Sequence, residues 1–252
     1  MRTLWTALLI PVLALATAAG LSAASKREPA GVILTLSGKV TLYPSTSAAP
    51  LPKTPRLGWT VYAGDRLKTG NNGRVALVLT DGTHLKLNYN TDITLSNRNS
   101  KGHTSARGIA AIKILIGDLW AKVTKKDSTL EFDTPGAVAA VKGTEPLISV
   151  GADGTTCVQL RSGKVYMSNE LPGGVTLHPD QQICVSEHQQ ISSGLVQPWS
   201  AGTQTWDQTF NQASQATVTI SYTDQGGAAR TLVLNYATDV TGSAQTLTGT
   251  AK

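Results

Sequence analysis

The sequence predicts an all-β fold, a sandwich or jelly-roll-like stack of antiparallel strands, and three observations carry that expectation. Apolar and polar residues alternate with a period of two from Gly31 to Ile191, the pattern of strands with one buried face. Gly, Ser and Thr are plentiful while aromatics make up only 5% of the chain, a mixture suited to short strands joined by tight turns. The 252 residues suffice for one large β domain with a substantial core.

The N-terminal segment stands outside this fold. Met1 and Arg2 form a short positive end, Leu4 to Ala19 is almost wholly apolar, and Ser22-Ala23-Ala24 offers small residues for cleavage. Residues 1–24 therefore read as a secretory signal peptide, and the protein is expected to be exported, periplasmic or extracellular. The alternative is an uncleaved anchor, since Leu4 to Ala24 is long enough to span a bilayer. Pro11, the small-residue end and Lys26-Arg27 weigh against it. No cysteine follows the apolar run, which argues against a lipid anchor at this site.

Residues 31–193 read as the β domain. In the stretch from Arg74 to Tyr89, Val75, Leu77 and Leu79 face one way, Asp81-Gly82 makes a turn, and Leu85, Leu87 and Tyr89 resume the buried face. His84, Lys86 and Asn88 then point outward. Ser37-Gly38-Lys39 and Ser162-Gly163-Lys164 are expected to be hairpin turns, and Ile112, Ile114 and Ile116 a strand ending at Gly117-Asp118. Leu147 to Val150 should pair with Cys157 to Leu160 across Gly151 to Gly154. Residues 194–252 form a C-terminal extension. Trp199, Trp206 and Phe210 suggest a short amphipathic helix, and Ala216 to Tyr222 with Arg230 to Tyr236 a final hairpin.

Cys157 and Cys184 both fall in the exported part, where an even count admits a disulfide. Two buried thiols on neighbouring strands are the alternative. No C-x-x-C occurs, and His84, His103, His178 and His188 lack ligand spacing, so neither metal nor any other cofactor is expected. The formal net charge of +6 is concentrated: between Thr94 and Lys126, Arg98, Lys101, Arg107, Lys113, Lys122, Lys125 and Lys126 face Asp118 alone. Of these, Arg98, Lys101, Arg107, Lys122, Lys125 and Lys126 are the candidate binding surface. Trp59, Tyr62 and Trp120 are candidate aromatic platforms.

Catalytic signatures are lacking. The stretch from Thr134 to Glu145, TPGAVAAVKGTE, has the residue types of a phosphate loop, but the order Lys142-Gly143-Thr144 is wrong and Pro146 follows where a helix must open. Four of the five residues Asp65, Asp81, Asp118, Asp133 and Asp153 sit beside glycine or at a turn, where aspartate bonds its own backbone. No Gly-x-Ser-x-Gly elbow occurs. No catalytic residue is assigned, and the chain is not expected to be an enzyme.

A set of ordered phrases then becomes recognisable: Ala63 to Gly70 (AGDRLKTG), Gly73 to Leu79 (GRVALVL), Asp81-Gly82-Thr83, Gly117-Asp118-Leu119-Trp120, Phe132 to Pro135 (FDTP) and Val141 to Glu145 (VKGTE). Together they resemble the FecR-like domain family over about Gly31 to Ile191. The resemblance implies that Thr134-Pro135 ends one strand, that Ala137 to Val141 packs with small side chains, and that Gly143 allows a close turn. Pro146 departs from the family pattern and suggests an edge or a local break, since it has no N–H to donate. The family's namesake relays a signal from a receptor to a cytoplasmic sigma factor through a cytoplasmic N-terminal portion. Only three residues precede the apolar run here, so that transmembrane role is not carried over. The expected function is a non-catalytic binding or interaction module of the bacterial cell envelope, in signalling or assembly. Its partner would be an envelope protein or, alternatively, a carbohydrate or anionic polysaccharide. Nucleic acid is not expected, and membrane contact only if the N-terminal segment stays uncleaved.

Overall fold

The computed structural model describes residues 27–45, 51–99, 101–102, 109–124, 129–199, 206–209, 215–223, 229–237 and 248–251, with side chains described through Asp207. The strands in chain order are β1 (Pro29–Ser37), β2 (Val40–Tyr43), β3 (Thr60–Tyr62), β4 (Arg66–Thr69), β5 (Arg74–Leu79), β6 (His84–Leu87), β7 (Asp92–Ser96) and β8 (Ala111–Lys122). They continue with β9 (Leu130–Asp133), β10 (Val138–Val141), β11 (Glu145–Val150), β12 (Thr156–Ser162), β13 (Val165–Ser168), β14 (Val175–Leu177), β15 (Gln181–Val185) and β16 (Gln197–Pro198). Two layers result. Sheet A has the order β3-β1-β5-β6-β8-β11-β12-β15-β16, and sheet B the order β2-β4-β7-β8-β9-β10-β13-β14. Every one of these pairings is antiparallel except β8 with β9.

β8 belongs to both layers. Through Ile116 it pairs with β7 in sheet B, and from Gly117 onward with β11, joined by β6, in sheet A. Gly117 makes the bend with φ 100°, and a Cβ there would lie 2.4 Å from the Thr91 Cα, so no larger residue fits the corner. The Thr91 hydroxyl stitches it, accepting from the Asp118 N–H at 3.0 Å and donating to the Asp118 carbonyl at 3.1 Å. The expected strand end at Gly117-Asp118 is thus a change of sheet within one strand.

The same device recurs elsewhere. Residues with positive φ stand where the chain passes between layers: Gly38, Asn90, Gly143, Gly163 and Asp180. Ser37-Gly38-Lys39 and Ser162-Gly163-Lys164 are therefore not hairpin turns. β2 pairs with β4, and β13 with β10 and β14, so each turn carries the chain from sheet A over to sheet B. Alternation is blind to this difference, because a strand folded over onto the facing sheet keeps the same side chains inward. Gly143 makes the corner between β10 and β11, which is the role of glycine in the loop-like stretch at 134–145. Pro146 lies at a register shift between Glu145 and Pro146. It marks a local break in a strand flanked by β8 and β12, not a sheet edge.

The core lies between the layers. Ile33, Leu77, Leu85, Leu119 and Ile148 from sheet A meet Leu67, Ile93, Ile112, Phe132 and Met167 from sheet B in one buried cluster. Each such side chain contributes about 1.5–3 kcal/mol when fully buried. Tyr89, expected inside, is exposed in the turn after β6, where the Arg74 guanidinium stacks 4.2 Å from its ring centroid. Its place in the buried pattern is lost because β6 ends at Leu87 and the chain there crosses to sheet B.

Helical structure among the described residues is confined to a 3-10 turn (Ser193–Leu195) and one α-helical turn, α1 (Trp206–Thr209). Trp199 precedes this turn and Phe210 lies outside the described residues. The expected final hairpin is present as β17 (Gln215–Thr223) and β18 (Ala229–Ala237), to which β19 (Thr248–Ala251) adds a third strand. No helix among the described residues is long and apolar enough to cross a membrane. The expected signal segment lies outside the described residues.

Candidate functional site

The outward faces of the two sheets differ. On sheet A, Lys86, Trp120 and Leu147 occupy outward positions on β6, β8 and β11, in register with one another, yet are only 4%, 1% and 4% exposed. A lysine is buried to this degree only when its charge is partnered. Arg161 on β12 donates to both carboxylate oxygens of Asp207 in α1, at 2.6 and 3.0 Å, and to Glu145 at 3.3 Å. Lys86 donates to the Asp207 carbonyl at 3.3 Å and stands 4.3 Å from the centroid of the Trp120 ring, a cation–π contact. The Trp120 indole N–H donates to Glu145 at 3.1 Å. Burial works against the Arg161 charge, but Asp207 and then Glu145 more than offset it, so its pKa is raised. The C-terminal turn thereby closes this part of sheet A. Trp120 is consequently no exposed platform, and Lys86, expected outward, is outward but covered.

Sheet B exposes much of its outward face, although Ala111 and Glu131, paired there on β8 and β9, are only 1% and 8% exposed, and three grooves lie on it. The central one, about 430 Å³, is lined by Arg66, Asp92, Thr94, Lys113, Leu115 and Asp133 among others. Its charges are balanced: Arg66 grips Asp92 through two hydrogen bonds of 2.7 and 2.5 Å, and Lys113 lies 3.4 Å from Asp133. The hydrogen bond to Asp92 raises the Arg66 pKa. Beside it on β2 and β4 is a groove of about 440 Å³ lined by Lys39, Thr41, Tyr43, Pro52, Lys68, Thr69 and Gly70. Across the sheet on β10, β13 and β14 is another, of about 550 Å³, whose lining includes Lys142, Lys164, Tyr166 and Thr176. Among the described residues, neither outer groove has an acidic residue in its lining.

The residues singled out from sequence are distributed as follows. Arg98 and Lys101 lie in the connection before β8, whereas Lys122 ends β8 in the other sheet, so that twelve-residue strand separates them. Arg107, Lys125 and Lys126 are outside the described residues. Cys157 and Cys184 stand directly opposite each other on β12 and β15 and are joined in a disulfide, with their Cα atoms 4.0 Å apart. Trp59 and Tyr62 are half-buried, and the Arg27 guanidinium stacks 4.1 Å from the Tyr62 ring centroid. Asp65 is buried and accepts from the Tyr62 and Ser45 N–H groups and from Arg27. Asp81 accepts from the Thr83 N–H and Asp153 from that of Thr155. No group of three or more His, Cys, Asp or Glu residues among the described ones could hold a metal ion.

The sequence reading did not find the outer grooves. A signal is present in the repeated Ser-Gly-Lys-Val, which puts Lys39 and Lys164 at the same step of two sheet crossings. Only the pairing of distant strands shows that each meets a second lysine, Lys68 or Lys142.

Residues 65–166 match the model of the family described as FecR protein. Two crystal structures of a candidate anti-sigma factor from Parabacteroides distasonis ATCC 8503, at 1.65 and 2.50 Å resolution, are similar at 18% identity with a TM-score of 0.46. The similarity covers 60% of this chain and 66% of that one, slightly under two thirds of its length. No curated protein matches the sequence significantly.

Proposed function

We propose that the chain is an exported, non-catalytic FecR-domain protein that serves as a binding module of the bacterial cell envelope, in signalling or assembly. The observation that carries this reading is the contrast between the two sheet faces. The part of sheet A around Lys86, Trp120 and Arg161 is closed by Asp207, while sheet B presents grooves lined by lysine, threonine and tyrosine side chains. A face held by a packed core keeps its shape and so offers preorganised recognition. The carboxylates support the absence of catalysis, since Asp65, Asp81 and Asp153 are engaged with the backbone of their own turns.

The test is capture from envelope extract by the natural chain and by a variant carrying Lys39→Glu, Lys68→Glu, Lys142→Glu and Lys164→Glu. An envelope component retained by the first and lost by the second, at equal melting temperature, is the expected result. Equal retention by both removes sheet B from the account. Export is checked by N-terminal sequencing of the natural product: a start near Ser25, directly after Ala24, is expected, and a start at Met1 in the membrane fraction establishes the anchored form. A carbohydrate or anionic-polymer ligand is the second reading, favoured by the paired lysines.

A further inference from the structure

We propose that the two outer grooves of sheet B are twin subsites for one linear acidic polysaccharide, which lies across the face and is gripped at both ends. The inference rests on sheet B being the binding face and names what occupies it. Four observations converge on that occupant: the matching chemistry of the grooves, their exposure, the charge pattern across the sheet, and the spacing.

One groove brings Lys39 and Lys68 together with Tyr43 and Thr41, the other Lys164 and Lys142 with Tyr166 and Thr176. In each, one lysine follows a Ser-Gly crossing and the other comes from a neighbouring strand or its turn. Lys39, Lys68, Lys142 and Lys164 are all exposed, and Tyr166 is 48% exposed. Lys68 also lies 3.8 Å from Asp92, whose carboxylate Arg66 already holds.

The charge pattern is positive at the two ends only. Two lysines without a lining carboxylate at each end flank a centre where Arg66 and Lys113 are matched by Asp92 and Asp133, and where Glu131 on β9 adds a further carboxylate opposite Ala140. A compact anion would be served by one such groove. A duplicated groove fits a ligand whose anionic groups repeat. The exposed Tyr166 face beside Thr176 suits a sugar ring, which presents an apolar face and polar edges, whereas the half-buried Tyr43 ring has the Arg66 guanidinium 5.6 Å from its centroid.

The spacing sets a length. From β4 to β13 the order of sheet B takes five steps, which at strand spacing is about 25 Å. A ligand shorter than this occupies one groove at a time. A longer one occupies both, and the second contact then benefits from a high effective concentration.

Calorimetric titration with uronic-acid oligomers tests the idea, using di- and trisaccharides as short probes, decasaccharides as long ones, and neutral dextran as the control. The natural chain should bind two short oligomers or one long one, the long one about 100-fold more tightly, and dextran not at all. Lys39→Gln with Lys68→Gln, or Lys142→Gln with Lys164→Gln, should leave one short site and reduce long-chain affinity to the short-chain value. Arg98→Gln with Lys101→Gln removes equal charge elsewhere and should keep both sites. One short site in the natural chain, long-chain affinity no better than short, or equal loss in the Arg98 and Lys101 variant overturns the proposal. No uronate binding at all also overturns it. If the four-lysine variant still loses an envelope protein in that case, the binding-module reading survives and the polysaccharide does not.

Discussion

Arg161 and Asp207, 46 residues apart in sequence, meet in a two-pronged ion pair on the outward face of sheet A. The pair ties the C-terminal extension to the domain, and Asp207 is 1% exposed. Removing its charge takes from Arg161 the closer of its two described carboxylates, the other being Glu145. Asp207→Asn should therefore lower stability by about 3 kcal/mol, the lower end for breaking a buried pair because Arg161 keeps some solvent contact. Urea unfolding measures it, and a loss below about 1 kcal/mol, the range of exposed pairs, would show the contact to be weak.

Gly117 turns β8 from one sheet into the other. Gly117→Ala places a methyl group 2.4 Å from the Thr91 Cα at φ 100°, and should cost about 4 kcal/mol or prevent folding. Gly102 also has positive φ, 78°, but among the described residues nothing lies within 4 Å of a Cβ there. Gly102→Ala should cost about 1 kcal/mol. Similar melting temperatures for the two variants would contradict the role given to the corner.

The Cys157–Cys184 bond closes a loop with a sequence separation of 27. On the chain-entropy model it stabilises the domain by about 3.5 kcal/mol. Thermal melting with and without reductant should show a clear fall in midpoint, absent in a Cys157→Ala, Cys184→Ala variant. Free thiols in unreduced, denatured exported protein would contradict the bond itself.

His84 faces Lys122 across β6 and β8. Burial lowers its pKa below the ordinary 6.5, helped by Lys122 and Lys86. The unfolded chain then takes up the proton first. Stability attributable to His84 is full above about pH 6.5 and declines as pH falls, until the folded form protonates too. Exposed His188 has the opposite sign, its pKa raised by Glu170 and then Glu187, but solvent screens that pair. An NMR titration should find His84 below 6.5, and His84→Asn should flatten the acid side of the stability profile. A His84 value above the ordinary one would contradict the burial.

Much of the fold is legible locally and little of it globally. The alternation of Val75, Leu77, Leu79, Leu85 and Leu87 identifies inward faces correctly because side-chain direction is a property of one strand. Partner choice is a property of two, so the Ser-Gly-Lys turns and Gly117 read as reversals or ends although they are corners. Lys86 and Trp120 read as surface residues because the cover over them comes from Asp207, far along the chain. The basic stretch looks like one patch in sequence, but β8 carries Lys122 away from Arg98 and Lys101. Lys39, Lys68, Lys142 and Lys164 do not stand out in the sequence because each groove is assembled from strands that only tertiary pairing brings together.

Amide hydrogen exchange of the natural chain, with and without its captured envelope ligand, tests the binding role of sheet B most directly. Added protection should fall on β2, β4, β13 and β14 in sheet B, with β6 and β12 in sheet A unchanged. Protection confined to β6 and β12, with sheet B exchanging as in the free protein, would contradict it.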